Sequence, residues 1–131
     1  MRDKAIKTGY LIREADDNTF LSFNVLLRKE GSEFVAVSIE MFCVGQGKDE
    51  ETAVKNLISG LETTLYAVAK NKDIPIFYAP DKYRSEYIAL INKTKKQNDI
   101  KPIEKFIDIV RTKLTNISQA KYVMGSEIYS I

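Results

Sequence analysis

The 131-residue sequence has no histidine, no tryptophan, one cysteine and three prolines. It also has no apolar run long enough to cross a bilayer. Without histidine, the commonest general acid–base side chain and the commonest transition-metal ligand are missing. A serine–histidine or cysteine–histidine pair is excluded within the chain. Cys43 alone cannot form an internal disulfide, and a zinc site would need carboxylates for nearly every ligand. Carboxylate or lysine chemistry is all that stays open. The start, Met1-Arg-Asp-Lys-Ala-Ile-Lys7, leads into no apolar leader stretch, so a cytoplasmic location is expected.

Apolar residues make up 44% of the chain and charged residues 29%. Such a chain folds and buries a core, as one domain or one small domain with an appendage. The net charge of +2 is unevenly spread. Met1 to Ala69 holds 8 Lys/Arg against 11 Asp/Glu, a net of −3, and Lys70 to Ile131 holds 12 against 7, a net of +5. The split suggests two surfaces with different partners; solvated charge without a ligand is the alternative.

Thr19 to Lys29 alternates, with Leu21, Phe23, Val25 and Leu27 on one face, which predicts a half-buried strand. Glu30-Gly-Ser32 predicts a hairpin turn. Glu33 to Met41 alternates again, with Val35, Val37, Ile39 and Met41 expected inward and Ala36, Ser38 and Glu40 outward. A short strand is expected at Phe42 to Gln46, and an earlier one around Tyr10 to Arg13. Asp49 to Lys70 is the clearest helix, with Ala53, Leu57, Ile58, Leu61, Leu65 and Val68 at helical spacing. Asp49 is placed to cap it, and Gly60 is expected to permit close packing on the sheet. Ile74 to Pro80 reads as a linker or edge strand between two prolines. A second helix follows from Asp81 to about Lys95, with Tyr83, Tyr87, Leu90 and Ile91 on one face. Pro102 opens a third, with the stripe Ile103, Phe106, Ile107, Val110 and Leu114. The tail from Lys121 is apolar enough to dock as a strand.

The segment Cys43-Val-Gly-Gln-Gly-Lys-Asp-Glu-Glu-Thr-Ala-Val-Lys-Asn-Leu57 looks at first like a phosphate loop. A P-loop needs G-x-x-x-x-G-K-[ST], whose amides wrap the phosphates and whose hydroxyl holds magnesium. Here the glycine spacing is wrong and Asp49 replaces the hydroxyl. The dinucleotide fingerprint fails as well, because Glu50 stands where its last glycine belongs. The segment therefore reads as a strand end, a turn at Gly47 and a helix cap.

Two antiparallel strands, a short third strand and then this turn and helix resemble the N-terminal domain of HicB-like antitoxins. The matching residues are Phe34-Val-Ala-Val37, then Gln46-Gly-Lys-Asp-Glu-Glu-Thr-Ala53 and Leu57, within Thr19 to Lys70. Thr52 stands where the family usually has glutamate, and no proline follows the second strand. The resemblance implies a β-β-β-α unit like a trimmed ribonuclease H fold without its catalytic carboxylates. It also implies binding and blocking of a small RNA-cleaving partner, dimers or higher oligomers, and often a separate DNA-binding module.

The expectation is an α+β protein with a three- or four-stranded antiparallel sheet packed on one long helix, followed by a helical C-terminal extension. Residues 1–73 form the HicB-like unit and 74–131 the extension. The function expected is non-catalytic neutralisation of a small basic, toxin-like protein, without cofactor, metal or membrane. A stand-alone oligomer binding a small ligand or nucleic acid is the alternative. Glu33, Glu40, Glu50 and Glu51 are the candidate partner-binding residues. Lys93, Lys95, Lys96, Lys101 and Lys105 are candidate phosphate contacts, possible for DNA but equally readable as solvated. Phe106, Ile107, Val110 and Leu114 are the expected oligomer contact. The segment 74–80 carries no basic residue, so it cannot read base edges as a ribbon-helix-helix strand does. Tyr83, Tyr87, Tyr122 and Tyr129 are either a stacking platform or core. Cys43, without a basic neighbourhood, is expected to be an inert packed residue. Among carboxylates, convergence of Glu40 and Glu62 on a metal is considered, but the helical period turns Glu62 away from the Leu61–Leu65 face.

Overall fold

The structure is a computed structural model that describes residues 3–14, 20–71, 73–94, 121–124 and 127–130. Four strands come first: β1 (Lys4–Glu14), β2 (Phe20–Glu30), β3 (Glu33–Ser38) and β4 (Cys43–Gly47). Helices α1 (Glu50–Lys70) and α2 (Asp81–Thr94) follow, then β5 (Lys121–Met124) and β6 (Glu127–Ser130). All six strands join one antiparallel sheet in the order β4-β3-β2-β1-β5-β6. The α+β class and the long helix on an antiparallel sheet are as the sequence predicts. The tail supplies two strands, and β5 pairs with β1 through Leu11↔Met124, Ile12↔Val123 and Arg13↔Tyr122. Within the segment read as a helical extension, residues 81–94 are helix and lie on the sheet, and the tail strands belong to that sheet.

The first strand is longer than expected, 11 residues from Lys4 rather than a few around Tyr10. Its register with β2 shifts between Ala5 and Lys7. Such an irregularity breaks the alternation that would have marked the strand in sequence. The hairpin from β2 to β3 turns through Gly31, whose φ of 62° is the left-handed conformation that glycine adopts without strain.

Both faces of the central sheet are covered. Leu21, Phe23, Val25 and Leu27 of β2 pack with Ala36, Met41 and the buried stripe of α1, from Ala53 to Val68. Leu26, Val35, Val37 and Ile39 point the other way and pack with Ala79 and Tyr87. Tyr83, Leu90 and Ile91 complete that second core, as the helical spacing predicts. The expectation of an inward set and an outward set on β3 is therefore corrected. Val35, Val37 and Ile39 face α2, whereas Ala36 faces α1, and Ser38 and Glu40 are buried too. A sheet with one helix on each face leaves its middle strands no solvent side.

The chain reaches the second face through residues 74–80, which form no strand among the described residues. Ile74 and Ile76 pack into the α1-side core and Ala79 into the α2-side core. In passing, the segment is tied to the β3–β4 turn. The Ala79 amide donates to the Ile39 carbonyl at 2.8 Å, and the Phe42 amide donates to the Phe77 carbonyl at 2.8 Å. A strap rounding the end of the sheet thus carries α2 to the opposite side.

One buried arginine fastens each helix. Arg13 of β1, 1% exposed, forms a bidentate pair with Glu62 of α1. Arg28 of β2, 5% exposed, reaches Glu86 of α2 at 2.8 Å and also pairs with Glu30. Planar guanidinium–carboxylate pairing suits such partly desolvated positions.

Candidate functional site

The strand-to-helix joint is settled by packing. A β-carbon placed on Gly45 would lie 2.1 Å from the Leu57 amide nitrogen and 2.2 Å from the Ala53 carbonyl oxygen. One on Gly47 would lie 2.8 Å from the Ala53 amide nitrogen. The backbone of α1 fills the space that a phosphate would occupy above a glycine loop. The amide at the helix start is satisfied by the protein itself, since Asp49 accepts from the Thr52 amide at 2.7 Å. That bond, with a further contribution from the Thr52 side chain, lowers the Asp49 pKa below the ordinary aspartate value. Asn56 also donates to the Gln46 carbonyl at 2.6 Å, pinning α1 to β4. Gly60, expected to permit close packing, has nothing within 4 Å of its β-carbon position.

The four acidic candidates do not form one face. Glu33 is half-buried at the β2–β3 hairpin, opposite Glu30. Glu40 is fully buried, which corrects its expected exposure. Its carboxylate accepts from the Asn24 amide at 2.7 Å and from Asn24 Nδ2 at 2.6 Å. It pins the β3–β4 turn to the middle of β2, and the neighbouring Ile39 amide donates to the Asn24 carbonyl. Glu50 pairs with Lys7 at 2.8 Å, and Glu51 with Lys55 at 3.1 Å one turn along α1. Their charges are largely balanced locally, in exposed pairs that contribute little.

Glu62 lies over β1 rather than out in solvent, because Arg13 draws it onto the sheet. The expected separation of Glu40 and Glu62 has a structural cause: Asn24 and Arg13 stand on opposite faces of the sheet. Among the described residues no group of three or more Cys, Asp or Glu side chains could hold a metal ion. Cys43 lies 3.5 Å from the Thr64 hydroxyl, and burial raises its thiol pKa, partly offset by that contact. A raised pKa keeps the thiol protonated and unreactive.

Lys93 belongs to α2, and Lys95, Lys96, Lys101 and Lys105 lie outside the described residues, as do Phe106, Ile107, Val110 and Leu114. Of the tyrosines, Tyr87 is fully buried and Tyr83 half-buried, while Tyr122 and Tyr129 are in β5 and β6. The reading of Tyr87 as core is correct.

One surface escaped the sequence reading. Phe77 is 67% exposed and Phe42 is 38% exposed. The Phe42 ring stacks on Tyr83 with centroids 6.1 Å apart. Lys82 lies 5.0 Å from the centre of the Tyr83 ring and Arg84 lies 5.5 Å from that of Tyr78. The signal was faint: in Ile74-Pro-Ile-Phe-Tyr-Ala-Pro80 the apolar Ile74 and Ile76 sit two apart and turn inward, which leaves Phe77 facing out.

Comparison of the chain with family models, with curated proteins and with solved structures returns no match.

Proposed function

We propose that the chain is a non-catalytic binding protein resembling the HicB-like antitoxins, which neutralises a small basic RNA-cleaving partner in the cytoplasm. The joint from Gly45 to Leu57 carries the reading. Its glycines serve helix–strand packing, and Asp49 closes the helix start, so the segment that bears the resemblance is scaffold rather than a phosphate site. A partner surface would then be made by exposed side chains and not by the glycine loop itself. Glu33, Glu50 and Glu51 remain as rim charges that steer a basic protein, whereas Glu40 is withdrawn into the structure.

Co-purification from the native host, followed by growth rescue with the recovered protein, tests the reading. A small basic protein whose toxicity the chain suppresses is the expected result. Reversing Glu33 and Glu51 to lysine should slow capture more than it speeds release. Recovery of no such protein, with rescue absent, ends the reading. The alternative, an oligomer that binds a small ligand or nucleic acid, is favoured by the exposed Phe42 and Phe77.

A further inference from the structure

We infer that the corner where the strap crosses the β3–β4 turn is a stacking site for single-stranded nucleic acid, independent of the partner-neutralising reading. Phe42 and Phe77 rise from backbones joined by a 2.8 Å hydrogen bond, so their rings stand on adjacent positions. Both are exposed, at 38% and 67%. Neither is needed to fill either core. Each has a second aromatic beside it, Tyr83 stacked on Phe42 and Tyr78 next in the chain to Phe77.

Each aromatic pair carries a cation. Lys82 lies over Tyr83, and Arg84 lies over Tyr78. Aromatic rings stack on the faces of unpaired bases, and flanking cations hold the phosphates between them, with little dependence on sequence. Two acidic groups lie close by: Asp81 pairs with Arg84, and Glu86 pairs with Arg28, which itself lies 5.4 Å from the centre of the Tyr83 ring. The Asp81 carboxylate is 89% exposed, and a surface pair of this kind contributes little. Exchanging Asp81 for a phosphate oxygen therefore costs the guanidinium little.

The occupant is a single strand because bases must be unstacked to lie against Phe42 and Phe77; a duplex offers only its backbone and groove edges. The ribose hydroxyl has no designated partner here, so RNA and DNA strands share the chemistry and are compared directly.

Fluorescence anisotropy with the full chain and labelled mixed-sequence oligonucleotides tests this: single-stranded RNA, single-stranded DNA and duplex RNA. Single strands should bind at low salt and duplex more weakly. Phe77→Ala, a change at an exposed ring, should weaken single-strand binding by about tenfold. Lys82→Gln with Arg84→Gln should flatten the dependence on salt by one to two phosphate contacts' worth, a slope change of roughly 1. Unchanged melting of Phe77→Ala would show that the fold is intact. Binding that survives Phe77→Ala undiminished, a preference for duplex, or no binding at low salt overturns the inference. So does a protein partner captured by the wild type and lost in Phe77→Ala without any nucleic-acid binding. Growth rescue by Phe77→Ala separates a failure here from a failure of the partner-neutralising function.

Discussion

At the residue scale, two carboxylates of similar sequence appearance have opposite fates. Asp49 stays in solvent and caps α1, and its lowered pKa ties it to acid stability. A folded-state pKa below the unfolded one adds stability that is present above the unfolded value. That stability is lost as pH falls through the folded value. Asp49→Ala should therefore lower the melting temperature at neutral pH, and the gap to wild type should close as pH falls below the ordinary aspartate range. A gap unchanged at acid pH would contradict the cap. Glu40 is buried against Asn24, and Glu40→Ala leaves the Asn24 amide without that acceptor. The loss should be about 2–4 kcal/mol in urea unfolding, since an unsatisfied buried donor and a cavity add. Glu40→Gln, which keeps an acceptor oxygen, should lose less. Equal losses would mean that the paired carboxylate oxygens, and not the space the side chain fills, carry the contribution.

At the element scale, two glycines at α1, Gly45 of β4 beneath it and Gly60 within it, respond in opposite directions. Gly45 lies under the helix and Gly60 on its open side. Gly45→Ala should cost at least about 2 kcal/mol, because the added carbon meets backbone that cannot swing aside. Gly60→Ala should stabilise by about 0.5–1 kcal/mol, as an open helical glycine does when replaced. Denaturant melts of both variants check the pair together; a loss at Gly60 would place α1 closer to a neighbour than it lies. The Arg28–Glu86 pair fastens α2 in the same way that Arg13–Glu62 fastens α1. Burial works against the Arg28 charge, but bonds to Glu86 and Glu30 outweigh it and leave its pKa raised. Arg28→Ala strands both carboxylates and removes a ring contact with Tyr83 at 5.4 Å. Hydrogen exchange should then report α2 opening more readily than α1.

At the scale of the whole molecule, the sheet sits between two helices and the strap joins its faces. No helix among the described residues is long and apolar enough to cross a membrane. The apolar stripe Phe106, Ile107, Val110 and Leu114 motivates an oligomer, which remains a proposal. Light scattering should give a mass of at least two chains, and Val110→Asp should shift it toward one. A wild-type mass of one chain at high concentration would refute that assembly.

What the sequence by itself determined was what local periodicity and local chemistry encode. The alternation of Leu21 to Leu27, the stripe of α1 from Ala53 to Val68 and the Asp49 cap are each specified within a few residues of chain. The absence of histidine limited the chemistry before any fold was known. Only the tertiary structure decided which face each residue would serve. The β3 pattern could not show that a helix from 40 residues onward would cover its second side. Glu40 read as exposed because its partner, Asn24, lies on another strand, and Glu62 read as outward because Arg13 is remote in sequence. The exposed corner at Phe42 and Phe77 arises where a turn and a strap meet, and a contact made between distant segments leaves no period in either one.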